Sequence, residues 1–129
     1  MNKLLVSLLA VTLFIGCKPD EPSITEVDWK LTLLNGKDYA SLQQPITITF
    51  SPDNKVAGHA GCNRYFGSYK KSQAELSFSQ MGATKMFCDG KMEIEDSFLK
   101  ALAEVDRFVV SENKLRLQKG ERILMEFAK

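Results

Sequence analysis

Apolar and polar residues alternate along most of the chain after residue 26, which is the pattern of half-buried β-strands. The alternation covers residues 27–33, 46–50, 55–60, 64–70 and 75–79, and it returns in short runs at 107–110, 115–117 and 123–127. A further segment, residues 81–88, is expected to be extended. Turn-forming residues such as Asn35-Gly36 separate the runs, because both tolerate positive φ. The pattern predicts about eight strands.

One segment, residues 91–105, changes to the helical period. Its apolar residues recur three and four positions apart, at Met92, Phe98, Leu99, Leu102 and Val105. Glu95 is the polar exception on this face. The spacing predicts one amphipathic helix of about four turns. Since the order of elements does not resemble a βαβ repeat, we expect an α+β, mostly β fold: a strongly curved antiparallel sheet or half-open barrel with one covering helix.

The composition fits one ordinary globular domain. The chain has 129 residues, of which 44% are hydrophobic and 26% charged. Its 17 basic and 16 acidic residues give a formal charge of +1, which provides no basic patch for nucleic acid. Three Cys and one His cannot build a zinc finger or a multi-histidine site. We therefore expect no nucleic-acid partner, no metal and no cofactor.

The first residues have the features of an export signal. Lys3 precedes an apolar run of 12 residues from Leu4 to Ile15, about 18 Å as a helix and too short to span a membrane. The run ends in Leu13-Phe14-Ile15-Gly16-Cys17, which resembles the lipobox of bacterial lipoproteins, although Phe14 stands where Leu is commonest. In that family the cysteine is acylated. The other interpretation is an ordinary signal peptide with a coincidental cysteine.

These features predict three parts: a lipoprotein signal peptide at 1–16, a lipidated Cys17 with a tether at 17–26, and a folded domain at 27–129. Several acyl chains would hold the protein on a membrane. Lys18 differs from the Asp that resembles an inner-membrane retention signal, so we expect an outer-membrane lipoprotein, facing the periplasm or exposed at the cell surface. Asp20-Glu21 is similar to the acidic export tag of some surface lipoproteins.

The densest motif, residues 58–69, contains three Gly, a Cys and an Asn. Gly61 and Asn63 tolerate left-handed backbone geometry and place Cys62 in a tight turn. A second motif, Thr84-Lys85-Met86-Phe87-Cys88, follows, and then the segment from Glu95 to Leu102. In this order the motifs resemble the META domain of HslJ-like heat-shock lipoproteins. The resemblance covers about residues 27–127, including the Trp29 strand and the closing hairpin.

The resemblance implies a compact β-rich fold that is exported and often lipid-anchored, with links to heat stress and drug tolerance. It implies no catalytic residues. The residues that carry its motif are Gly61, Cys62, Asn63, Arg64, Tyr65, Gly67, Tyr69, Thr84, Met86 and Cys88.

Cys62 and Cys88 have three interpretations. The favoured one is a disulfide, because an exported chain meets an oxidising compartment and an even pair remains once Cys17 is lipidated. The second is two free, buried thiols. The third is a catalytic thiol, which would need His59 and a carboxylate beside it. The strand register places His59 and Val56 on opposite faces, which turns His59 outward.

The aromatic residues of the motif have a simple interpretation. Tyr65 and Tyr69 share one strand face and Phe66 the other, so we expect core packing rather than a stacking surface for sugars or peptides beside Arg64. Asn63 is expected to close its turn through its side chain, and Thr84 to bond a neighbouring backbone group.

Two functions remain open. The favoured one is a non-enzymatic, lipid-anchored envelope module for binding or stress protection, monomeric, whose partner is an envelope protein or a small apolar ligand. The alternative is an envelope thiol enzyme or hydrolase that uses Cys62 or Cys88 with His59.

Overall fold

The computed structural model describes residues 11–17 and 22–129. Its elements are β1 Trp29–Leu34, β2 Lys37–Asp38, β3 Thr47–Phe50, β4 Lys55–His59, β5 Arg64–Ser72, β6 Glu75–Ala83, α1 Met92–Glu104, β7 Arg107–Val110, β8 Lys114–Lys119 and β9 Arg122–Ala128. The expected mostly-β fold with one helix is confirmed. Residues 11–17 are exposed and outside any helix or strand, and what the sequence predicts for residues 1–10 and 18–21 lies outside the described residues. Within the described ranges, no helix is long and apolar enough to cross a membrane.

The strands form one antiparallel sheet that closes on itself. Strands that follow one another in sequence are mostly neighbours, and β1 also pairs with β9, where Leu31 faces Phe127. The short strand β2 extends the β1 edge through the Asn35-Gly36 turn, where φ is 49° and 81°. The half-open barrel inferred from the hydrophobic pattern is therefore a ring of eight strands, β1 and β3 to β9, with β2 as a ninth strand paired to β1 alone.

The ring is weakest between β6 and β7. These strands share one register pair, Glu75 with Arg107, flanked by backbone hydrogen bonds of 3.2 Å from Leu76 to Asp106 and 3.1 Å from Phe108 to Ala74. Helix α1 connects the two strands in sequence and packs against β6. The helix thus joins the two strands that pair least and packs against the first of them.

Large side chains fill the interior of the barrel. Phe98 of α1 meets Tyr65 edge-on at 5.4 Å and Phe127 at 6.4 Å between ring centres, and all three are buried. The polar ends of buried aromatic rings have partners: Trp29 Nε1 donates to the Ile24 carbonyl at 3.0 Å, and Tyr65 Oη donates to the Thr47 carbonyl at 2.6 Å. The helix and the sheet therefore share one packed core.

Candidate functional site

The two cysteine motifs and the start of α1 meet at one end of the barrel, where β4 turns into β5. The turn is closed by its main chain, since the Ala60 N–H donates to the Asn63 carbonyl at 2.8 Å. Gly61 has a φ of 121°, a conformation that side chains with a Cβ rarely adopt. A Cβ at Gly61 would lie 3.5 Å from its nearest neighbour, Ile94, so the backbone angle and not the space requires glycine.

Cys62 and Cys88 form a disulfide, with their Cα atoms 5.7 Å apart. This confirms the favoured interpretation of the cysteine pair. Cys62 is buried and Cys88 half-buried, while Cys17 is exposed and stands outside the disulfide. The bridge ties the turn before β5 to the loop after β6.

Both the oxygen and the nitrogen of the buried Asn63 side-chain amide make hydrogen bonds. Its Oδ1 accepts the Met86 N–H at 2.8 Å and the Thr84 hydroxyl at 2.9 Å. Its Nδ2 donates to the Met86 carbonyl at 3.0 Å and to Glu95 Oε2 at 2.7 Å. The side-chain amide thereby bonds both the N–H and the carbonyl of Met86, as a neighbouring strand would. Residues 84–88, which were expected to be extended, are therefore held in place although β6 ends at Ala83.

Two expectations about this network were wrong. The Asn63 side chain does not close its own turn, because the main chain does that and frees the amide to reach across the barrel end. The Thr84 hydroxyl bonds the Asn63 side chain and not a backbone group.

Glu95 is the residue whose role the sequence left unassigned. Although charged, it is only 3% exposed, and its Oε1 accepts the backbone N–H groups of Cys62 and Asn63. Burial raises the pKa of Glu95, but the hydrogen bonds from Asn63 and Cys62 and the nearby His59 outweigh it and lower the pKa below its ordinary value. The carboxylate therefore stays charged and fixes α1 to the turn. The feature of the sequence that could have predicted this role is the position of a carboxylate in the middle of an apolar helix face.

His59 is half-buried rather than fully outward. Its side-chain Nδ1 accepts the Gly61 N–H at 3.3 Å, and its backbone N–H donates to the Thr47 hydroxyl at 3.1 Å. The two cysteine sulfurs are bonded to each other, and the Glu95 carboxylate is hydrogen-bonded to the turn. Among residues 11–17 and 22–129, no group of three or more His, Cys, Asp or Glu side chains is arranged to hold a metal ion.

The remaining motif residues divide between core and surface. Tyr65 and Tyr69 are buried as expected, and Phe66 is 57% exposed on the other face of β5. Arg64 is exposed. Gly67 allows Met81 to approach closely, since a Cβ there would run into the Met81 sulfur.

We call residues 84–88 the display loop, because a backbone held there by hydrogen bonds and a disulfide carries exposed apolar side chains. Met86 is 60% exposed and Phe87 is 80% exposed. The Asn63 amide and the Cys88 sulfur fix the loop from below. Apolar side chains fixed in this way are pre-organised for contact with another molecule.

The comparisons with known proteins agree with this architecture. The META domain matches residues 22–129, which is most of the chain. This chain belongs to the META domain family. The family resemblance drawn from the cysteine motifs is thereby confirmed. A relative, heat shock protein HslJ of Escherichia coli (strain K12), is 28% identical over 96 residues, covering 73% of this chain and 68% of the relative.

Three solved structures have a similar fold. An NMR structure of a protein from Burkholderia xenovorans has a TM-score of 0.66 at 26% identity, covering 92% of this chain and 97% of that one. A second NMR structure has a TM-score of 0.63 at 25% identity, covering 78% and 86% of the two chains. A crystal structure from Bacteroides vulgatus ATCC 8482, at 20% identity and a TM-score of 0.52, shares the fold, covering 64% of this chain and 57% of that one.

Proposed function

We propose that this chain is a lipid-anchored protein of the cell envelope, and that its META domain is a non-enzymatic binding module for stress protection. The observation that carries the proposal is the use of the conspicuous polar residues of the motif. Cys62, Cys88, Asn63 and Glu95 are engaged with one another, whereas Met86 and Phe87 face solvent. Because the reactive side chains of this site bond to one another and its apolar side chains are exposed, the site is suited to binding another molecule rather than to catalysis.

The partner we propose is an envelope protein that covers the display loop. The interior around Phe98 is filled by aromatic rings, which favours a ligand on the outer surface over a small apolar molecule held inside. Phenylalanine and methionine are enriched at the centres of protein interfaces. The fixed backbone of the loop reduces the entropy lost on binding.

The point where the tether joins the fold indicates which way the display loop faces relative to the membrane. Thr25 bridges to Phe50, and the Glu26 N–H donates to the Phe50 carbonyl at 2.9 Å. Phe50 pairs with Val56, at the far end of β4 from the turn that holds Cys62. If acylation of Cys17 anchors the chain, the tether would place the display loop on the side away from the membrane.

The role in stress rests on the relative, which is named a heat shock protein. A cell lacking this chain should survive heat less well, and the chain with Phe87→Ser should restore survival less completely than the unchanged chain. Val109→Ser is the matched control, since Val109 is 48% exposed on β7, away from the loop. Equal rescue by both variants would contradict a role for the loop.

The partner is tested by placing a photo-crosslinking residue at position 87 and, separately, at position 109. We expect a discrete product from position 87, and saturable binding of the purified partner that Phe87→Ser weakens at least tenfold. Identical products from the two positions would count against the display loop.

The anchor is tested by mass spectrometry of the native protein. The expected result is cleavage before Cys17 and acyl chains on that residue, and loss of membrane association in Cys17→Ser. An uncleaved or unmodified amino terminus would refute the anchor.

The competing function, a thiol enzyme, requires a free thiolate. Without reductant, we expect neither Cys62 nor Cys88 to react with a thiol reagent, and both to react after reduction and unfolding. A fast reaction at Cys62 or Cys88 in the untreated protein, as distinct from one at the exposed Cys17, would favour the enzyme instead.

A further inference from the structure

A groove follows the outer face of the hairpin formed by β5 and β6, and its lining does not include the display loop. It extends from the turn before β4 to the start of β7, and its volume is about 1200 Å³. Cations line it at Lys55, Lys70 and Arg107, and hydroxyl groups at Ser68, Ser77 and Ser79. We call it the hairpin groove. Nothing in the proposed function uses it.

The strand register places these groups on one face. Ser68 of β5 lies opposite Lys55 on one side and Ser79 on the other. Lys70 lies opposite Ser77, and Glu75 lies opposite Arg107. Side chains of directly paired residues point to the same side of a sheet, with Cβ atoms about 5 Å apart. Short hydroxyl side chains therefore form the floor, and long cationic ones form the walls.

A bulge in β6 shapes the middle of the groove. The register between β5 and β6 shifts between Phe66 and Ser68, and Gln80 takes a φ of 54°. Such a bulge bends and twists its strand. It brings the Gln80 side-chain oxygen within 3.3 Å of the Ser68 hydroxyl, so an amide joins the floor.

The cations of the groove are free to meet an anion. Lys55, Lys70, Lys71 and Arg107 make no ion pair within the part of the chain that the structure describes. Lys71 Nζ already lies over the Phe108 ring, 5.2 Å from its centre, and Lys55 Nζ donates to the Ser68 hydroxyl at 3.3 Å, so Lys55, Lys70 and Arg107 are the cations that can pair with an anion. The lining also holds three acids, Asp53, Glu75 and Asp106. Asp106 is already engaged, because it accepts the Gly120 N–H at 2.8 Å and pairs with Lys119 at 3.5 Å. The groove thus keeps more free positive than free negative charge.

We propose that the hairpin groove binds an anionic polysaccharide, a sugar chain that carries carboxylate or phosphate groups. Serine hydroxyls both donate and accept, as sugar hydroxyls do, while lysine and arginine pair with the anionic groups. Tyr69, the aromatic residue of the lining, is buried, so affinity would come from many polar contacts along a chain rather than from stacking on one ring. A polymer that spans the whole groove supplies those contacts.

The test measures binding of the full chain to labelled polygalacturonate, which carries hydroxyl and carboxylate groups together. Dextran supplies hydroxyls without charge, polyglutamate supplies charge without hydroxyls, and a phosphorylated glucan distinguishes phosphate from carboxylate as the anion. We expect polygalacturonate or the phosphorylated glucan to bind at least tenfold more tightly than dextran and polyglutamate. Binding should weaken as salt rises.

Variants separate the two contributions. Lys70→Gln with Arg107→Gln should weaken binding about tenfold, and Ser77→Ala with Ser79→Ala about threefold to fivefold. The matched control is Lys30→Gln with Lys37→Gln, two exposed cations of β1 and β2, which should change binding less than twofold. Circular dichroism checks that each variant is folded.

Three results would overturn the proposal. The first is no binding to either anionic glycan. The second is equal binding to polyglutamate, which would indicate nonspecific attraction between charges. The third is an equal loss in the control variant, which would place the site elsewhere.

Discussion

The turn around Asn63 and the hairpin groove are both polar, yet the polar groups are buried and bonded in the first and exposed in the second. At the turn, Asn63 and Glu95 are buried and their hydrogen-bonding atoms are used within the chain. In the groove, Lys70 and Arg107 are exposed, and neither makes an ion pair with any described residue. The difference teaches that the cysteine and asparagine of the most recognisable motif maintain the shape of the fold, while the exposed side chains of the hairpin are free to bind.

The comparison predicts that substitutions at the turn change stability, whereas substitutions in the groove change only binding. The strongest test is Glu95→Ala, which leaves the backbone N–H groups of Cys62 and Asn63 without their acceptor and removes one of the two acceptors of Asn63 Nδ2. Each buried group that loses its partner costs roughly 1–3 kcal/mol, so we expect a loss of about 3–5 kcal/mol in the free energy of unfolding by urea. Glu93→Ala, exposed in the same helical turn, should cost less than about 1 kcal/mol. Equal losses in the two variants would show that the turn does not depend on Glu95.

The second test removes the disulfide through Cys62→Ala with Cys88→Ala. The bridge spans 26 residues, and a loop of that length contributes about 3.5 kcal/mol in the chain-entropy estimate. We expect a loss of that size in urea unfolding, with the fold retained because Asn63 still holds Met86. Collapse of the fold at low denaturant would mean that the hydrogen bonds cannot hold the loop alone.

The third test uses pH. The pKa of Glu95 is lower in the folded chain than in the unfolded chain, so the unfolded chain takes up the proton first as pH falls. Stability contributed by Glu95 is therefore complete above about pH 5 and is lost as pH falls through the folded pKa. The slope for one proton reaches at most about 1.4 kcal/mol per pH unit. Urea titrations between pH 3 and 6 should show a shallower slope in Glu95→Gln.

Asp106 supplies the internal control for this pH test. The Gly120 N–H, followed by Lys119, lowers the pKa of Asp106 as well, so some acid sensitivity should remain in Glu95→Gln. Asp106→Asn should keep the Glu95 part of the slope. An unchanged slope in Glu95→Gln would contradict the charged, hydrogen-bonded carboxylate.

The smallest expected effect completes the comparison. Lys70→Gln with Ser77→Ala changes two exposed groove residues, and exposed substitutions usually alter the free energy of unfolding by less than about 0.5 kcal/mol. We expect the urea midpoint to stay the same. A loss above 1 kcal/mol would show that the groove, like the turn, is structural.

Much of the fold could be predicted from the sequence because it depends on local patterns. The alternation at Trp29 and Phe50 and the helical spacing through Phe98 each reflect one buried face. The closure of β1 on β9 depends on residues about a hundred positions apart, and no local pattern contains it.

The candidate site was harder to predict for the same reason. The cysteine pair followed from counting, but the partners of Asn63 are set by the crossing of a turn, a loop and a helix. Glu95 was visible only as an exception to an apolar face. The hairpin groove went unnoticed because its serines and lysines are typical of any exposed strand until the register places them together.

The pairing of β1 with β9 also governs when the fold can form. Strand β9, Arg122–Ala128, must be synthesised before β1 gains the neighbour that closes the ring, so most of the chain leaves the ribosome before the ring can close. A nascent chain with this connectivity can pair β3 to β8 as they appear, but it completes the ring only after β9 has been made, so closure is a late step of folding.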